Sequence, residues 1–103
     1  MKYKLYRSFG DLNKQIKQHV LVAVEYGKDI YDVTPALIRA VNDELANSPK
    51  YDKCNTWADA PECIPLHFTV KRYDYWMRGV VSPPNAPENI LIDFGVIETD
   101  EDE

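Results

Sequence analysis

The chain has 103 residues, of which 45% are hydrophobic and 28% charged, and its mean hydropathy is −0.45. This length and composition are those of one globular domain and exclude a second domain or a largely disordered chain. No apolar run approaches the roughly 20 residues of a membrane span, and the first residues lack the apolar core of a secretory signal, so we expect a cytoplasmic protein.

Charge is distributed unevenly along the chain. The net charge is −5, yet residues 1–28 carry six Lys or Arg against two Asp or Glu, a local charge of +4 that leaves −9 for the remainder. A chain with a pI near 5.0 is a poor general binder of nucleic acid, because phosphate contacts need a concentrated cationic surface. The acidic part is suited instead to a basic partner.

The N-terminal quarter predicts a short strand followed by a helix. Over residues 2–7 the apolar and polar positions alternate, which indicates a strand. Ser8 suits a helix N-cap, and an apolar stripe then predicts a helix to about Glu25, ended by Gly27. The stripe consists of Phe9, Leu12, Ile16, Val20, Ala23 and Val24. Residues 20–24 also alternate as a strand does, so a helix to Gln18 followed by a strand is the alternative.

Thr34 and Pro35 predict the start of a second helix. Thr can cap the first turn, and Pro at the first helical position needs no amide partner. Asn47, Ser48 and Pro49 predict its end, since Asn tolerates a left-handed cap and Pro cannot continue the helix. Its predicted apolar face is formed by Leu37, Ile38, Val41 and Leu45.

Residues 48–63 have no lasting periodicity and predict a long loop, held by Tyr51 and Trp57. Cys54 and Cys63 lie nine positions apart in it. They could close a short disulfide loop in an oxidising compartment, but two cysteines without further ligands make a poor zinc site. We expect two reduced, partly buried thiols.

The densest run of β-branched and aromatic residues spans residues 64–81. Residues 66–70 alternate as a strand does, and past Arg72 the apolar set slips by one position. A bulge or turn near residues 71–74 explains the slip, and we favour two strands over one long strand.

The C-terminal part predicts one more strand and a tail. A proline-rich connector over residues 82–89 precedes residues 90–97, which alternate clearly and predict a strand. Five of the six residues from Glu98 to Glu103 are acidic, which predicts a disordered tail. The predicted fold is a single α+β domain over residues 1–97, with two amphipathic helices packed on one face of a small, mostly antiparallel sheet of three to four strands.

Patterns typical of catalysis are absent from the sequence. His19 and His67, the only histidines, have no carboxylate or cysteine at the spacing of a metal site or a catalytic triad. The four glycines form no phosphate-binding loop. We therefore predict no enzymatic activity, no cofactor and no metal.

Residues 71–78 interleave cations with aromatic rings, and Tyr, Trp, Met and Arg together are typical of the centre of a protein interface. An amphipathic strand with its aromatics in the core would give the same pattern. Our first hypothesis is a non-catalytic protein-interaction module, an inhibitor or adaptor for a basic, for example nucleic-acid-binding, protein. The predicted protein-binding residues are Tyr73, Tyr75, Trp76, Arg78, Asp100, Glu101, Asp102 and Glu103.

Two other classes of function remain open at this stage. The first is direct nucleic-acid binding through the basic N-terminal helix together with Lys71, Arg72 and Arg78. The second is a ligand-binding domain or small enzyme whose site is assembled from distant residues. The residues considered for that site are Tyr31, Trp57, His67 and Tyr75.

Overall fold

A computed structural model describes residues 1–8, 19–64, 73–85 and 87–100. These residues form six strands, one α-helix and one short 3-10 turn. In chain order they are β1 (Lys2–Ser8), β2 (His19–Tyr26), α1 (Ile30–Ala46), the 3-10 turn (Pro49–Tyr51), β3 (Asn55–Ala58), β4 (Glu62–Cys63), β5 (Tyr75–Ser82) and β6 (Ile90–Thr99).

The strands form one curled antiparallel sheet in the order β2-β1-β6-β5-β3, with β4 also paired to β5. Every strand pair among the described residues is antiparallel. The helix α1 contacts both β2 and β3, which lie at opposite ends of this order. A single helix reaches both ends only because the sheet curls around it.

The predicted α+β fold with two helices on a sheet of three to four strands is therefore wrong. The described residues are mostly β, with one α-helix and six strands. Two errors account for most of the difference. The valine-rich segment after Gln18 forms a strand, and the predicted loop over residues 48–63 contains β3 and β4 as well as the 3-10 turn.

The predicted helix to Glu25 is wrong over residues 19–25, which belong to β2. Residues 9–18 lie outside the described part of the chain. The β-branched residues of this segment fit both the helical period and the strand period. The pairing with β1 determines that the segment forms a strand. The register shifts between Leu5, opposite Ala23, and Tyr6, opposite Leu21, so Val22 is the extra residue of a bulge.

The strands β1 and β6 match their predicted alternation. Tyr3 and Leu5 are fully buried, while Lys4 and Tyr6 point to the other face. The predicted strand over residues 90–97 is confirmed and extends to Thr99. Glu98 pairs with Tyr3, so the first two residues of the predicted tail belong to the sheet. The predicted strand over residues 66–70 lies outside the described residues.

The helix α1 begins five residues before the predicted start, at Ile30 and not at Pro35. Asp29 is its N-cap, and the carboxylate accepts a hydrogen bond from Asp32 N at 2.9 Å. Thr34 is inside the helix and donates its hydroxyl hydrogen to Ile30 O at 2.7 Å. Pro35 lies inside the helix and cannot donate a hydrogen bond to the carbonyl of Tyr31, a residue that is 82% exposed near the helix start.

The buried face of α1 fills the concave side of the sheet. Its fully or nearly fully buried residues recur every four positions as Val33, Leu37, Val41 and Leu45. They pack against the inward residues of the sheet in one core. The predicted end at Asn47 is confirmed, since Asn47 N donates to Asp43 O at 3.0 Å as the C-cap.

The two candidate starts of α1 make different predictions for point variants. Asp29→Ala should lower the free energy of unfolding by about 0.5–2 kcal/mol, because it removes the cap, whereas Asp29→Asn should retain most of the stability. Thr34→Ala removes only a bond to an already helical carbonyl and should cost less. Urea unfolding of the three variants measures this. A costly Thr34→Ala beside a neutral Asp29→Ala would contradict the observed start.

Candidate interaction surface

The face of the sheet opposite α1 carries its own apolar cluster. Alternation along each strand directs one set of side chains toward α1 and the other set outward. The outward set is organised around Tyr73, which is 5% exposed. We name this group the outer-face cluster, and its members are Tyr6, Ile64, Tyr73, Trp76 and Ile97.

The Tyr73 ring lies directly on the backbone of β6. A Cβ at Gly95 would lie within 2.7 Å of three atoms of the ring, so only glycine permits this contact. Tyr6 flanks the ring with its centroid 5.9 Å away, and His19 stacks on it at 5.3 Å. The Tyr73 hydroxyl and His19 Nδ1 form a hydrogen bond. Tyr73 therefore holds this surface together and offers little contact area of its own.

Tyr75 lies on the opposite face of the sheet from Trp76. It packs against the main core and donates its hydroxyl hydrogen to Glu98 Oε2 at 3.1 Å. Glu98 also lies directly across from the buried Tyr3. Burial, and then the hydrogen bond and negative charge of Glu98, raise the pKa of both phenols, Tyr3 and Tyr75, to about 12.

Trp76 and Arg78 form the centre of the exposed part of the outer face. The Arg78 guanidinium lies 4.8 Å from the Trp76 ring centroid, a cation–π contact. Trp76 Nε1 donates to Asp93 Oδ1 at 3.0 Å, which fixes the indole. Both side chains line a cavity of about 200 Å³, together with Asp59, Ala60 and Glu62. We name it the Trp76 cavity.

Negative charge dominates around the Trp76 cavity. The carboxylates of Asp59 and Glu62 line it and Asp93 borders it, against the single cation of Arg78. Arg78 Nε is buried and has no hydrogen-bond partner among the described residues. Over residues 54–103 the chain has ten carboxylates and three Lys or Arg, a local charge of −7. The cavity therefore favours a cationic group over an anion.

An apolar row borders the cavity on the same face. Trp57, Val80 and Leu91 pair successively across β3, β5 and β6. Trp57 is 43% exposed and Leu91 is 56% exposed, while Val80 is buried between them. Two exposed apolar side chains, Trp57 and Leu91, therefore lie on the same face as the charged cavity.

The predicted protein-binding residues are thus divided among several places. Trp76 and Arg78 meet on the outer face, Tyr73 is buried beneath it, and Tyr75 lies on the inner face. Asp100 is exposed after β6. Glu101, Asp102 and Glu103 lie outside the described residues, as do Lys71, Arg72 and His67.

Sequence reasoning missed Asp59, Glu62 and Asp93 as parts of the site. They come from three separate segments, and only the strand register brings them to Trp76 and Arg78. The polar Asp93 in an otherwise apolar strand was the one available signal. The described residues of the alternative ligand-binding site do not lie together. Trp57 is on the outer face, Tyr75 is on the inner face and Tyr31 is exposed on α1.

Other kinds of site find little support in the described part of the chain. No group of three or more His, Cys, Asp or Glu is placed to hold a metal ion there. Cys54 and Cys63 are both free thiols. None of the described helices has the length and apolar character needed to cross a bilayer.

No family model, curated protein or solved structure matches this chain.

The burial of Tyr3 and Tyr75, together with their contacts to Glu98, predicts that the stability of the protein falls at alkaline pH. An unfolded Tyr ionises near its ordinary pKa of 10 and the folded Tyr3 and Tyr75 near 12. Folding thus favours the neutral phenols, and this contribution is complete below pH 10 and lost as the pH rises to about 12. Urea unfolding midpoints measured across this range should fall steeply. In Glu98→Gln, tyrosinate absorbance should develop at lower pH, and an unchanged titration would contradict the role of Glu98.

The contact between Gly95 and Tyr73 predicts strong coupling between the two positions. Gly95→Ala should lower the free energy of unfolding by about 1–3 kcal/mol, because the new methyl group strikes the ring. In a Tyr73→Ala background the same change should be nearly neutral, since the ring is gone. Urea unfolding of the four proteins in this cycle measures the coupling. Equal costs in both backgrounds would show that Tyr73 does not lie on Gly95.

Proposed function

We propose that this protein is a non-catalytic interaction module, an inhibitor or adaptor, that binds a positively charged protein through the outer face of its sheet. The observation that carries the proposal is the Trp76 cavity, where Asp59 and Glu62 outnumber the single cation Arg78. The exposed Trp57 and Leu91 beside it add the apolar area that such an interface needs.

The cavity suits a Lys or Arg side chain of the partner. The Trp76 ring is already covered by Arg78, so the partner's cation pairs with the carboxylates and does not stack on this indole. Its aliphatic stem can lie along the apolar row, as long cationic side chains commonly do. The Asp93 hydrogen bond holds Trp76 in place before the partner arrives, which lowers the entropy cost of binding.

Direct nucleic-acid binding has less support. Arg78, one of the three cations considered for it, is engaged by Trp76 and surrounded by carboxylates. The other two, Lys71 and Arg72, lie outside the described residues. A local charge of −7 over residues 54–103 opposes an approaching phosphate backbone. For the compartment we propose the cytoplasm, where the free thiols of Cys54 and Cys63 would persist.

A charge-matched pair of variants tests the proposal. Asp59→Asn with Glu62→Gln removes two carboxylates from the cavity, and Asp52→Asn with Glu88→Gln removes two exposed carboxylates elsewhere. A synthetic arginine- and lysine-rich peptide is the probe. The cavity variant should bind it about fivefold more weakly than the control variant, since two ion pairs of about 0.5 kcal/mol are lost.

The NMR signals of the protein's two tryptophans show where the peptide binds. In a two-dimensional amide NMR spectrum each indole N–H gives one signal, and Trp76→Phe assigns them. The Trp76 signal should shift on titration with the peptide. Equal affinity losses in both double variants, or an unmoved Trp76 signal, would mean that the peptide follows net charge and not the cavity. Lysate proteins captured by the control variant and lost with the cavity variant are the candidate partners.

A further inference from the structure

A second cavity, of about 450 Å³, opens where β1 ends, where the turn after α1 passes and where β6 begins. It shares no lining residue with the Trp76 cavity. Its polar wall comes from Arg7, Ser8, Ser48 and Lys50. Its apolar wall includes Tyr51 and the first residues of β6.

The cationic wall of this cavity is partly preorganised. Arg7 is 8% exposed, and its Nη1 donates to Glu44 Oε1 at 3.2 Å, which fixes the guanidinium from the helix side. Lys50 is exposed, and its ammonium lies 5.8 Å from the centroid of the Tyr51 ring. One cation is thus held inside the protein while the other lies at the surface beside a buried aromatic ring.

The charge of this cavity is opposite to that of the protein as a whole. Two cations line it, and none of its described lining residues is a carboxylate, although the net charge of the chain is −5. The Glu44 carboxylate compensates the charge of Arg7. Lys50 is exposed to solvent, so its ammonium group can reach an anion that enters the cavity from outside.

We propose that this cavity binds a small organic phosphate. Its phosphate group would be held by Arg7 and Lys50, with further polar contacts from Ser8 and Ser48, and its apolar part would rest on Tyr51 and β6. Several donors suit the three terminal oxygens of a phosphate monoester better than the two of a carboxylate. A volume of about 450 Å³ is in the range of small-molecule sites and larger than a bare phosphate ion requires.

Three probes and one matched pair of variants test this inference on the full chain. Phenyl phosphate carries both the phosphate and an aromatic ring, inorganic phosphate lacks the ring, and benzoate replaces the phosphate by a carboxylate. We expect measurable binding of phenyl phosphate by amide NMR titration or calorimetry, with at least fivefold weaker binding of the other two.

Lys50→Gln should weaken phenyl phosphate binding at least fivefold. Lys28→Gln, which removes one exposed cation near the start of α1, should leave it unchanged. Ser48→Ala should give an intermediate loss without touching the Arg7–Glu44 pair. No binding of phenyl phosphate at about 10 mM, equal effects of the two lysine variants, or equal affinity for all three probes would overturn the inference. None of these results depends on the Trp76 cavity.

Discussion

The packing of one amphipathic helix into a curled sheet is the constraint on which the rest of the structure depends. The stripe from Val33 to Leu45 has to reach strands at both ends of the sheet, and the sheet has to approach the helix closely at its middle. Gly79 permits that approach, since a Cβ there would lie 2.8 Å from Leu45 and 3.1 Å from Val41. This stripe and the inward side chains of the sheet form one core, and their burial stabilises the fold.

The same arrangement leaves the outer face of the sheet to be covered by its own side chains. No second layer lies over it among the described residues, so the aromatic rings of the outer-face cluster pack against each other and against bare backbone at Gly95. Exposed apolar area then remains at Trp57 and Leu91. Within the described part of the chain, the helix covers one face of the sheet and builds the core, while the other face keeps exposed apolar side chains, which supports the proposed docking function.

The sequence predicts single elements better than it predicts the fold. Alternation with one clearly apolar side locates β1 and β6, because each has one face in the core. Alternation fails to predict β2, because both of its faces are partly exposed and its valines fit the helical period as well as the strand period. Only the pairing with β1 determines that this segment is a strand. Alternation also fails for β3 and β4, which are too short to show a period and depend on β5 as their partner.

The predicted start of α1 fails for a different reason. Thr34 and Pro35 do favour a first turn, but Asp29 offers a stronger cap, and the helix gains one more turn that buries Val33. Thr34 and Pro35 correctly predicted that a helix is present, but they placed its start more than one turn too late. A local capping motif does not reveal how much apolar surface lies just before it. The aromatic run is limited in the same way, because the local pattern does not reveal which side chains face the core. Tyr75 faces the core, whereas its neighbour Trp76 faces the outer surface.

That alternation has a functional consequence. Tyr75 and Trp76 are neighbours in the chain, yet one joins a buried network with Glu98 while the other lies between Arg78 and Asp93 on the outer face. The backbone of β5 therefore carries side chains of both the core and the candidate site. The hydrogen bond to Asp93 fixes the Trp76 wall of the cavity on the same strand that carries Tyr75. In the proposed interaction, such an acidic cavity would select the cationic side chains of the partner by geometry as well as by charge.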